Sequence, residues 1–449
     1  MLTLCAACFT LLWAQSAWAA GFYLPGRGVR PMGRAGSFVA SGAGNLNSLW
    51  YNPANLAGFD GLTLTIDAAL LDLSFEHQRA PRTMDNGEVR TYAGVAHDGG
   101  PQAIPQILVG GPTGFEGISW SVGGYTPYMS PARFPEDGAQ RYVLIDNQGS
   151  FMGLLHAALS WQINDRARVG AGIQNFMANY RVVSLASGYV GMFGDPEDED
   201  LDLLVEVTVQ DLFSPTANMG AWFSILPGLE AAFALQLPVT IDDNEARARV
   251  RMPSHPAYDN ATLTNDTLSI VMKMPLIARF GLRLVSERFD VELAAMYEGW
   301  STLDEIVATP NDTYIEGVPG IGAIRLEPLV VPQQMRDTFT LSIGGDFQAG
   351  EQLKLRAGYA FDMGAVPDHR ISVFIVDADK HMFALGASYA FESFELDFGA
   401  AYFLMADRTI TNSEVRQINQ SDEGGDLALV VGNGTYVSRY LVFGLGVNF

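Results

Sequence analysis

The sequence predicts an all-β fold, a transmembrane antiparallel β-barrel, from the pattern at its two ends and from its lack of long apolar helices. At the C-terminus, every second residue is apolar and lies on the same face of the expected last strand: Leu441, Phe443, Leu445, Val447 and the terminal Phe449. A last strand with an apolar outer face and a C-terminal aromatic residue suits contact with lipid. A soluble edge strand also alternates in this way, so the pattern favours a barrel only together with other features.

The N-terminus has the pattern of a cleavable export signal. An apolar run is followed by Ala17-Trp18-Ala19, a small-x-small cleavage site, so residues 1–19 are expected to be removed and the mature chain to start at Ala20. No Lys or Arg precedes the apolar run, which departs from the usual signal. Both cysteines, Cys5 and Cys8, fall within this segment, so no disulfide or thiolate metal site is expected in the mature chain.

Composition narrows the class of protein. Beyond the signal, no run of about 18 uncharged apolar residues occurs, so transmembrane helices are not expected. The 47 glycines, 26 Phe and 16 Tyr suit strands, turns and interfacial aromatic girdles. The net charge of −23 and the presence of only three lysines argue against nucleic acid as a partner, because phosphate binding needs clustered Lys and Arg.

Alternating segments predict charge inside and hydrocarbon outside, the inverse of a soluble core. In 352–361, apolar side chains alternate with charged residues and glycine, and 394–402 repeats this pattern. In 268–284, apolar residues take the even positions while Lys273 and Arg279 take odd ones. Even positions of that segment are therefore predicted to face lipid, and odd positions the lumen.

Counting strands between short turns and long polar loops gives about fourteen strands. The expected strands are 62–77, 104–111, 117–130, 151–163, 168–183, 214–226, 229–251, 263–285, 290–306, 334–348, 352–363, 380–391, 395–412 and 433–449. The expected long loops are 78–103, 131–150, 184–213, 307–333, 364–379 and 413–432. Short turns face the periplasm, so an even strand number places both chain ends there. The predicted periplasmic aromatic girdle consists of Trp120, Trp161, Trp222, Phe289, Phe347, Phe391 and Phe394.

A long N-terminal segment precedes the first strand and is too apolar for the N-terminus of a porin. It holds Gly21-Phe22, the step Gly33-Arg34-Ala35-Gly36 and the motif Asn52-Pro53-Ala54. In these motifs and in its C-terminal third, the chain resembles the FadL family of outer-membrane channels for hydrophobic compounds. Asn-Pro-Ala alone would be a weak signal, but its position between Gly-Phe and the first strand is specific.

The resemblance implies a fourteen-stranded barrel formed by 59–449, with residues 20–58 folded into the lumen as a plug. Family members pass long-chain fatty acids or aromatic hydrocarbons across the outer membrane without energy input. The expected function is therefore passive uptake of hydrophobic molecules through an apolar pocket, followed by lateral release into the bilayer, and not catalysis.

In the family, the third strand is kinked inward and opens a lateral hole. Here the third strand holds Gly123, Gly124, Tyr125 and Pro127, and glycine and proline favour a bulge or break, which makes these four residues the expected lateral gate. A glycine that accommodates a bulky neighbour is the alternative.

The resemblance also implies a pocket beside the mature N-terminus. The candidate ligand-binding residues are Ala20, Gly21, Phe22 and Tyr23 at that N-terminus, Met192 and Phe193 in a shallower extracellular entry patch, and the inward apolar residues Met296 and Phe403. Further apolar positions expected to face inward are Trp300, Met382 and Met405. Asn52, Pro53 and Ala54 are the expected plug motif.

Other interpretations remain open at this stage. A general or specific porin for small polar solutes would have a polar lumen and no plug, and a lipid-modifying barrel enzyme would need a Ser-His-Asp set that the sequence does not offer. The acidic run Asp195–Asp202 is either a solvated loop or a site for divalent cations shared with lipopolysaccharide. The six histidines show no ligand spacing, so neither a metal nor another cofactor is expected.

The expected location is the bacterial outer membrane, and the expected state is a monomer. Expected partners are a hydrophobic small molecule, outer-membrane lipid, lipopolysaccharide and, through Phe449, the barrel-assembly machinery. The sequence does not distinguish fatty acid, alkane, monoaromatic or terpenoid as the solute.

Overall fold

A closed antiparallel barrel dominates the structure, which is a computed structural model. The structure describes residues 27–449 apart from 85, 129–131, 192–193, 319–321 and 420–426. Within these residues, fourteen strands form the wall when interrupted strands are counted once. The first and last strands close the barrel, since they pair from Thr65 opposite Asn448 to Arg79 opposite Gly434. The predicted fold class and strand number are confirmed, while the predicted signal peptide, 1–19, lies outside the described residues.

The elements follow one another around the wall in chain order. The barrel strands are β1 (Thr63–Arg79), β2 (Gln102–Pro112), β3 (Ile118–Tyr128), β4 (Phe151–Asn164), β5 (Ala167–Ser187), β6 (Asp202–Leu226), β7 (Leu229–Gln236 and Val239–Arg251), β8 (Thr267–Met274 and Ile277–Val285), β9 (Phe289–Glu298 and Glu305–Pro310), β10 (Leu329–Pro332 and Thr338–Gln348), β11 (Leu353–Asp362), β12 (Lys380–Ala390), β13 (Glu395–Met405 and Arg408–Ile410) and β14 (Gly434–Asn448).

The remaining elements are short. Small strands in the long connections are Arg82–Thr83, Val89–Arg90, Val95–Ala96, Thr262–Leu263, Tyr314–Val318 and Gly322–Arg325. Within the described residues, the helices are α1 (Val29–Met32) and α2 (Ser48–Tyr51), with 3-10 turns at Pro53–Leu56, Glu199–Leu201, Pro256–Tyr258, Trp300–Thr302 and Asp368–Arg370. None of the helices in the described part of the chain is long and apolar enough to cross a membrane.

Side chains on β11 and β13 alternate as predicted. Leu355 and Phe398 are exposed on the outer wall, whereas Arg356 and Asp397 are buried inside. Exposed apolar side chains in this arrangement form the band that hydrocarbon solvates in an outer-membrane barrel. The polar side chains are then left for the lumen.

The predicted phase of β8 is wrong in its first half. Leu268 and Met272 are buried inside, and Lys273 is exposed. The inward positions become odd only after Pro275, from Ile277 onward. Proline cannot donate to the strand ladder, and the two-residue interruption that contains it reverses which face is inward.

The aromatic girdle is confirmed in part. Trp161, Phe289 and Phe347 are exposed close to short turns, where a membrane interface is expected. Trp222 is instead buried in the lumen, with the Arg168 guanidinium 4.1 Å from its ring centroid. A cation stacked on an indole face explains why this tryptophan turns inward.

The long connection expected at 184–213 is shorter than predicted. β5 continues to Ser187 and β6 begins at Asp202, so these strands extend past the apolar outer band. Their long-loop ends pair with each other and with β7, which builds a wall above the membrane. Sequence alternation fades there because water, not lipid, surrounds the outer face.

The N-terminal segment, residues 27–59, lies inside the barrel. The backbone N–H of Val29 donates to Asp67 on β1 over 3.0 Å, and the amide of Asn52 donates to the Ala221 carbonyl on β6 over 3.2 Å. A single segment can contact such widely separated strands only from the lumen. Almost all of its described side chains are buried.

A ring of inward-facing glycines makes room for this segment. A Cβ atom at Gly344 would lie 2.2 Å from the Arg34 carbonyl oxygen, one at Gly358 2.3 Å from the Arg34 carbonyl carbon, and one at Gly220 1.9 Å from Asn52. Similar approaches occur at Gly110, Gly170, Gly281, Gly399 and Gly444. Glycine permits such close backbone approach, which accounts for part of the high glycine content.

Candidate functional site

Arg34 anchors the N-terminal segment to the wall. Its guanidinium lies 2.6 Å from Asp290 on β9 and 2.9 Å from Asp346 on β10, and its side chain is 1% exposed. Glu292 is 4.0 Å away. A charge buried to this degree is stable only with partners, so these acids hold the segment in register with the barrel.

Glu292 also holds the turn that follows. Its carboxylate accepts backbone N–H groups from Val39, Ala40 and Ser41 at 2.7, 2.9 and 2.9 Å. Successive N–H groups that converge on one anion neutralise it without a second cation. This part of the segment is therefore fixed through its backbone.

A second group of ion pairs joins α1 to the wall. Arg30 pairs with Asp397 at 3.1 Å and with Glu395, and Asp397 also pairs with Arg356 at 3.1 Å. The group links α1 to β11 and β13. Together with Arg34 it attaches one side of the segment to the wall.

The Asn52-Pro53-Ala54 motif closes the segment on the opposite side. Asn52 accepts the N–H of Ala54 at 3.0 Å and donates to the carbonyls of Val39 and Ala221 at 3.0 and 3.2 Å. Pro53 occupies the first position of the 3-10 turn, where a missing N–H costs nothing. One asparagine thus caps a turn, ties the segment to itself and tethers it to β6.

A small cavity of about 60 Å³ lies between the segment and strands β8–β13. Its apolar lining includes Val39, Tyr51, Met296, Met382 and Phe403. Its charged lining includes Arg279 and an ion pair between Lys380 and Asp362 at 3.3 Å. The result is a largely apolar chamber with neutralised charges on part of its wall.

The structure therefore brings two of the predicted ligand-binding residues, Met296 and Phe403, to one cavity. Met382, Trp300 and Met405 also face the interior as predicted. The remaining candidates lie outside the described residues: Ala20, Gly21, Phe22, Tyr23, Met192 and Phe193.

The wall is interrupted between β2 and β3. Their pairing ends where Ile107 lies opposite Gly124, although β2 continues to pair with β1 as far as Gln102. A bulge between Tyr125 and Tyr128 also disturbs the pairing of β3 with β4. Gly123 and Gly124 are thus still paired with β2, whereas Tyr125 and Pro127 lie beyond the last β2–β3 pair.

Gly123 and Gly124, beside the interruption, are glycine for different physical reasons. A Cβ at Gly123 would lie 2.2 Å from Leu108, so this glycine accommodates a bulky neighbour. At Gly124 the nearest atom, on Leu155, is 3.5 Å away, so packing does not require glycine there. Pro127 lies within the bulge, where its lack of an N–H suits unpaired backbone.

The N-terminal segment faces this interruption. Arg27 donates to the Pro127 carbonyl over 3.0 Å and lies 4.0 Å from the ring centroid of Trp50. Next to it is a narrow cleft of about 10 Å³ between Pro105 on β2 and Thr126 on β3. Sequence reasoning missed Arg27, and only the register of β3 reveals its partner.

A buried polar chain joins the same strand to the segment. The Tyr125 hydroxyl is 2.7 Å from Nδ1 of His156, whose Nε2 is 3.0 Å from Oδ1 of Asn218. The Asn218 amide then donates to the Leu49 carbonyl over 3.1 Å. The bulged strand and α2 are therefore connected through side chains of β4 and β6.

The connection between β11 and β12 crosses the mouth of the barrel. We call residues 363–379 the strap. The Phe374 ring lies 6.3 Å from that of Tyr180 on β5, on the far side of the barrel. Its most buried apolar side chains are Ile371, Val373 and Ile375. The prediction of a polar loop at 364–379 is wrong for its middle, where five of the six residues from Ile371 to Val376 are apolar.

The neck of the strap is held by one carboxyl group. Asp377 accepts the N–H groups of Ala365 and Val366 at 2.9 and 3.2 Å and lies 3.5 Å from Lys380. Burial raises the pKa of Asp377 to about 7, although Lys380 and the N–H donors act in the opposite direction. The two ends of the strap therefore meet at a group that titrates near neutrality.

The acidic run Asp195–Asp202 is partly neutralised by its neighbours. Glu197 lies 2.5 Å from Arg79 and accepts the Tyr92 hydroxyl, and Asp195 pairs with two further arginines. Burial alone would raise the pKa of Glu197, but the arginines and Tyr92 lower it. In the described part of the chain, no three His, Cys, Asp or Glu residues are arranged to hold a metal ion.

Comparison with known sequences identifies the family. The family described as "Outer membrane protein transport protein (OMPP1/FadL/TodX)" matches residues 10–448. The long-chain fatty acid transport protein of Salmonella typhi is 22% identical over 421 residues, which cover 87% of this chain and 88% of the relative. Outer membrane protein P1 of Haemophilus influenzae is 27% identical over 170 residues, or 38% of this chain and 33% of that protein. The chain thus matches about a third of the length of protein P1.

Solved structures share the fold. A Pseudomonas aeruginosa FadL homologue has a TM-score of 0.77 at 18% identity, over 96% of this chain and 99% of that one. The P. putida toluene transporter TodX has a TM-score of 0.63 at 13% identity, over 97% and 99%. At these identities the likeness concerns the fold.

The family match covers nearly the whole chain, and the apolar outer wall agrees with an outer-membrane location. The family is described as one of transport proteins, which agrees with the expectation that the chain is not an enzyme. The chain belongs to the OMPP1/FadL/TodX family of outer-membrane transport proteins.

Proposed function

We propose that this protein mediates passive uptake of hydrophobic molecules across the outer membrane. In this proposal the lumen cavity binds the solute, and the cleft between β2 and β3 releases it into the bilayer. The observation that carries it is the position of the N-terminal segment, which borders both an apolar cavity and the interruption of the wall. Relatives named as a long-chain fatty acid transport protein and a toluene transporter support the class of solute.

The chemistry of the cavity favours an apolar solute. Its lining is mostly apolar with a few polar groups, which is the usual make-up of a small-molecule pocket. Lys380 is already paired with Asp362 and Asp377, so its charge is compensated within the protein. A solute that buries apolar surface and carries few charges suits this lining.

The N-terminal segment acts as the plug in this proposal, with residues 20–58 as its extent. A porin for small polar solutes, the alternative, needs an open polar lumen. The buried pairs of Arg34 and Arg30 hold the segment across the lumen instead, which favours the hydrophobic channel. The plug would stop ion flow while leaving the cavity beside it.

The mature N-terminus would complete the pocket. Tyr23 precedes Arg27 by four residues, which reach at most about 14 Å. Arg27 itself borders the cleft. We therefore assign Ala20, Gly21, Phe22 and Tyr23 to the path between cavity and cleft, and Met192 and Phe193 to the outer entrance.

A binding titration tests the cavity. Phe403 lines it, and burial of a Phe side chain against solute is worth roughly 1.5–3 kcal/mol, so Phe403→Ala should weaken binding about tenfold or more. Phe398→Ala on the same strand is the matched control, because Phe398 faces lipid. A fluorescent fatty acid and a fluorescent aromatic serve as probes. Equal affinities of both variants and the wild type would reject the cavity as the solute site.

The other expected partners complete the proposal. Phe449 at the end of β14 would be read by the barrel-assembly machinery, and the long-loop ends of the strands would contact lipopolysaccharide. The protein would act as a monomer, since the pairing of β1 with β14 closes the barrel within one chain.

A further inference from the structure

The strap fills the outer mouth of the barrel with apolar side chains. Ile371, Val373 and Ile375 are at most 3% exposed. They belong to one apolar cluster with inward residues of the opposite wall, including Phe176 on β5 and Ile241 on β7. A connection between neighbouring strands normally stays over its own edge, so this crossing needs a physical reason.

The ends of the strap are fastened by polar contacts. Arg408 on β13 pairs with Asp368 and donates to the Asp377 carbonyl over 3.1 Å. Arg370 pairs with Glu414 at 2.7 Å. Asp377 closes the neck through backbone N–H groups. These contacts hold the two ends, while the middle meets the far wall through apolar side chains.

The middle of the strap has its own internal hydrogen bonds. The N–H groups of Ile371 and Ser372 donate to the carbonyls of Asp368 and Ile375 at 3.2 and 3.5 Å, and that of Phe374 donates to the Ser372 hydroxyl at 3.3 Å. These bonds move with the strap. Its middle can therefore leave the far wall without breaking the ladder of the barrel.

We propose that the strap is a displaceable outer lid, whose apolar side chains occupy the place that an incoming hydrophobic solute takes. This inference rests on the proposed function. An apolar solute replaces the contacts of Ile371, Val373 and Phe374 with the wall, so it exchanges one apolar surface for another. A polar solute offers no such exchange and leaves the lid seated.

The lid also stands next to the inner cavity. Asp362 and Lys380, the residues that frame the strap in the sequence, both line that cavity. A solute that passes under the displaced strap therefore reaches the chamber directly. The lid places the first selection step at the mouth, before the plug and the cleft.

A cross-link between strap and wall tests the lid. Residues 20–449 contain no cysteine, so introduced pairs react alone. The pair Tyr180→Cys with Phe374→Cys joins the strap to β5 through a reducible bis-maleimide. The control pair, Tyr180→Cys with Val209→Cys, joins facing residues of β5 and β6 and leaves the strap free. Uptake of a pyrene-labelled fatty acid and of radiolabelled toluene is measured in cells.

If the strap is a lid, its cross-link to β5 should reduce uptake to the level of cells that lack the protein. Reduction of the cross-link should restore uptake. The control cross-link should leave uptake unchanged. Undiminished uptake through the cross-linked strap would overturn the lid.

A second measurement separates the lid from the proposed function. Val373→Cys is buried under the closed strap, and the lid predicts that an impermeant maleimide added outside labels it. Ala232→Cys, buried beside the N-terminal segment, should stay unlabelled. If Val373→Cys also resists labelling, the lid is overturned. If it is labelled but the wild type carries neither probe, the lid stands and the proposed function fails.

Discussion

Arg34 of the N-terminal segment and Asp290 of β9 form an ion pair of 2.6 Å inside the barrel. Breaking a buried pair from one side costs about 3–5 kcal/mol, because the remaining charge stays buried without its partner. Asp346 shares the same guanidinium, so loss of Arg34 leaves Asp290 paired only with Arg283 and Asp346 only with Arg356. The attachment of the segment therefore depends strongly on one arginine.

Arg34→Gln should loosen the segment while the barrel still forms. We expect higher single-channel conductance in planar bilayers and faster proteolysis near residue 34, with heat-modifiable gel migration retained. Arg251→Gln is the control, because it removes an exposed pair with Glu136 that contributes little. A conductance equal to that of the wild type would argue that Arg34 does not hold the N-terminal segment in place.

Gly358→Ala should disturb the same segment by steric overlap alone, without removing a charge. The new Cβ would lie 2.3 Å from the Arg34 backbone, and overpacking of this kind costs about 1–3 kcal/mol. Thermal unfolding in detergent should therefore begin at a lower temperature and conductance should rise. Gly350→Ala in a short turn meets no atom within 4 Å and should change neither. Identical behaviour of the two variants would show that the ring of glycines is not needed to accommodate the N-terminal segment.

Much of the barrel follows from local patterns. The strand number and the faces of β11 and β13 were predictable because side chains alternate with period two and lipid accepts only the apolar set. Asn52, Pro53 and Ala54 were identified through the family resemblance, from their position between Gly-Phe and the first strand, and their role as a plug motif stays a prediction. Each of these signals lies within a few residues of sequence.

The features that were missed depend on distant parts of the chain. The inward phase of the first half of β8 follows from the break at Pro275, and the inward position of Trp222 follows from Arg168 on the neighbouring strand. The strap reads as a loop until the apolar residues of the far wall are known. The cleft arises from register between β2 and β3, which strand patterns do not fix.

Completing the ladder beside the cleft should slow release. Gly124→Val together with Pro127→Thr supplies a β-branched side chain and a free N–H, both of which favour regular pairing. Gly123 is left unchanged because Leu108 occupies the space. We expect uptake of a hydrophobic probe to fall while heat-modifiable migration persists.

Pro112→Thr, in the paired part of β2, is the control for that variant and should leave uptake intact. A matching loss of uptake and of barrel folding in the double variant would assign Gly124 and Pro127 to assembly. Normal uptake with a folded barrel would place the exit elsewhere.

The seating of the strap should depend on pH through Asp377. Burial raises its pKa from 3.8 to about 7, so the seated strap binds a proton more tightly than a displaced strap does. Protonation of Asp377 therefore favours the seated strap below pH 7, and a rise in pH through about 7 loosens the strap. For one proton, the equilibrium between seated and displaced strap shifts by at most about tenfold per pH unit. Facing charged groups are Asp362, Lys380 and Arg408.

External labelling of Val373→Cys should therefore accelerate as the pH rises, after correction for the reactivity of the thiol itself. Asp379 acts in the same direction, because burial raises its pKa to about 6. Asp377→Asn should remove the change near pH 7 and leave the one near 6, whereas Asp379→Asn should do the reverse. The amide of Asp377→Asn still offers an oxygen to the N–H groups of Ala365 and Val366, so the neck keeps its hydrogen bonds. A labelling profile that is the same in the wild type and in Asp377→Asn would show that this carboxyl group does not control the strap.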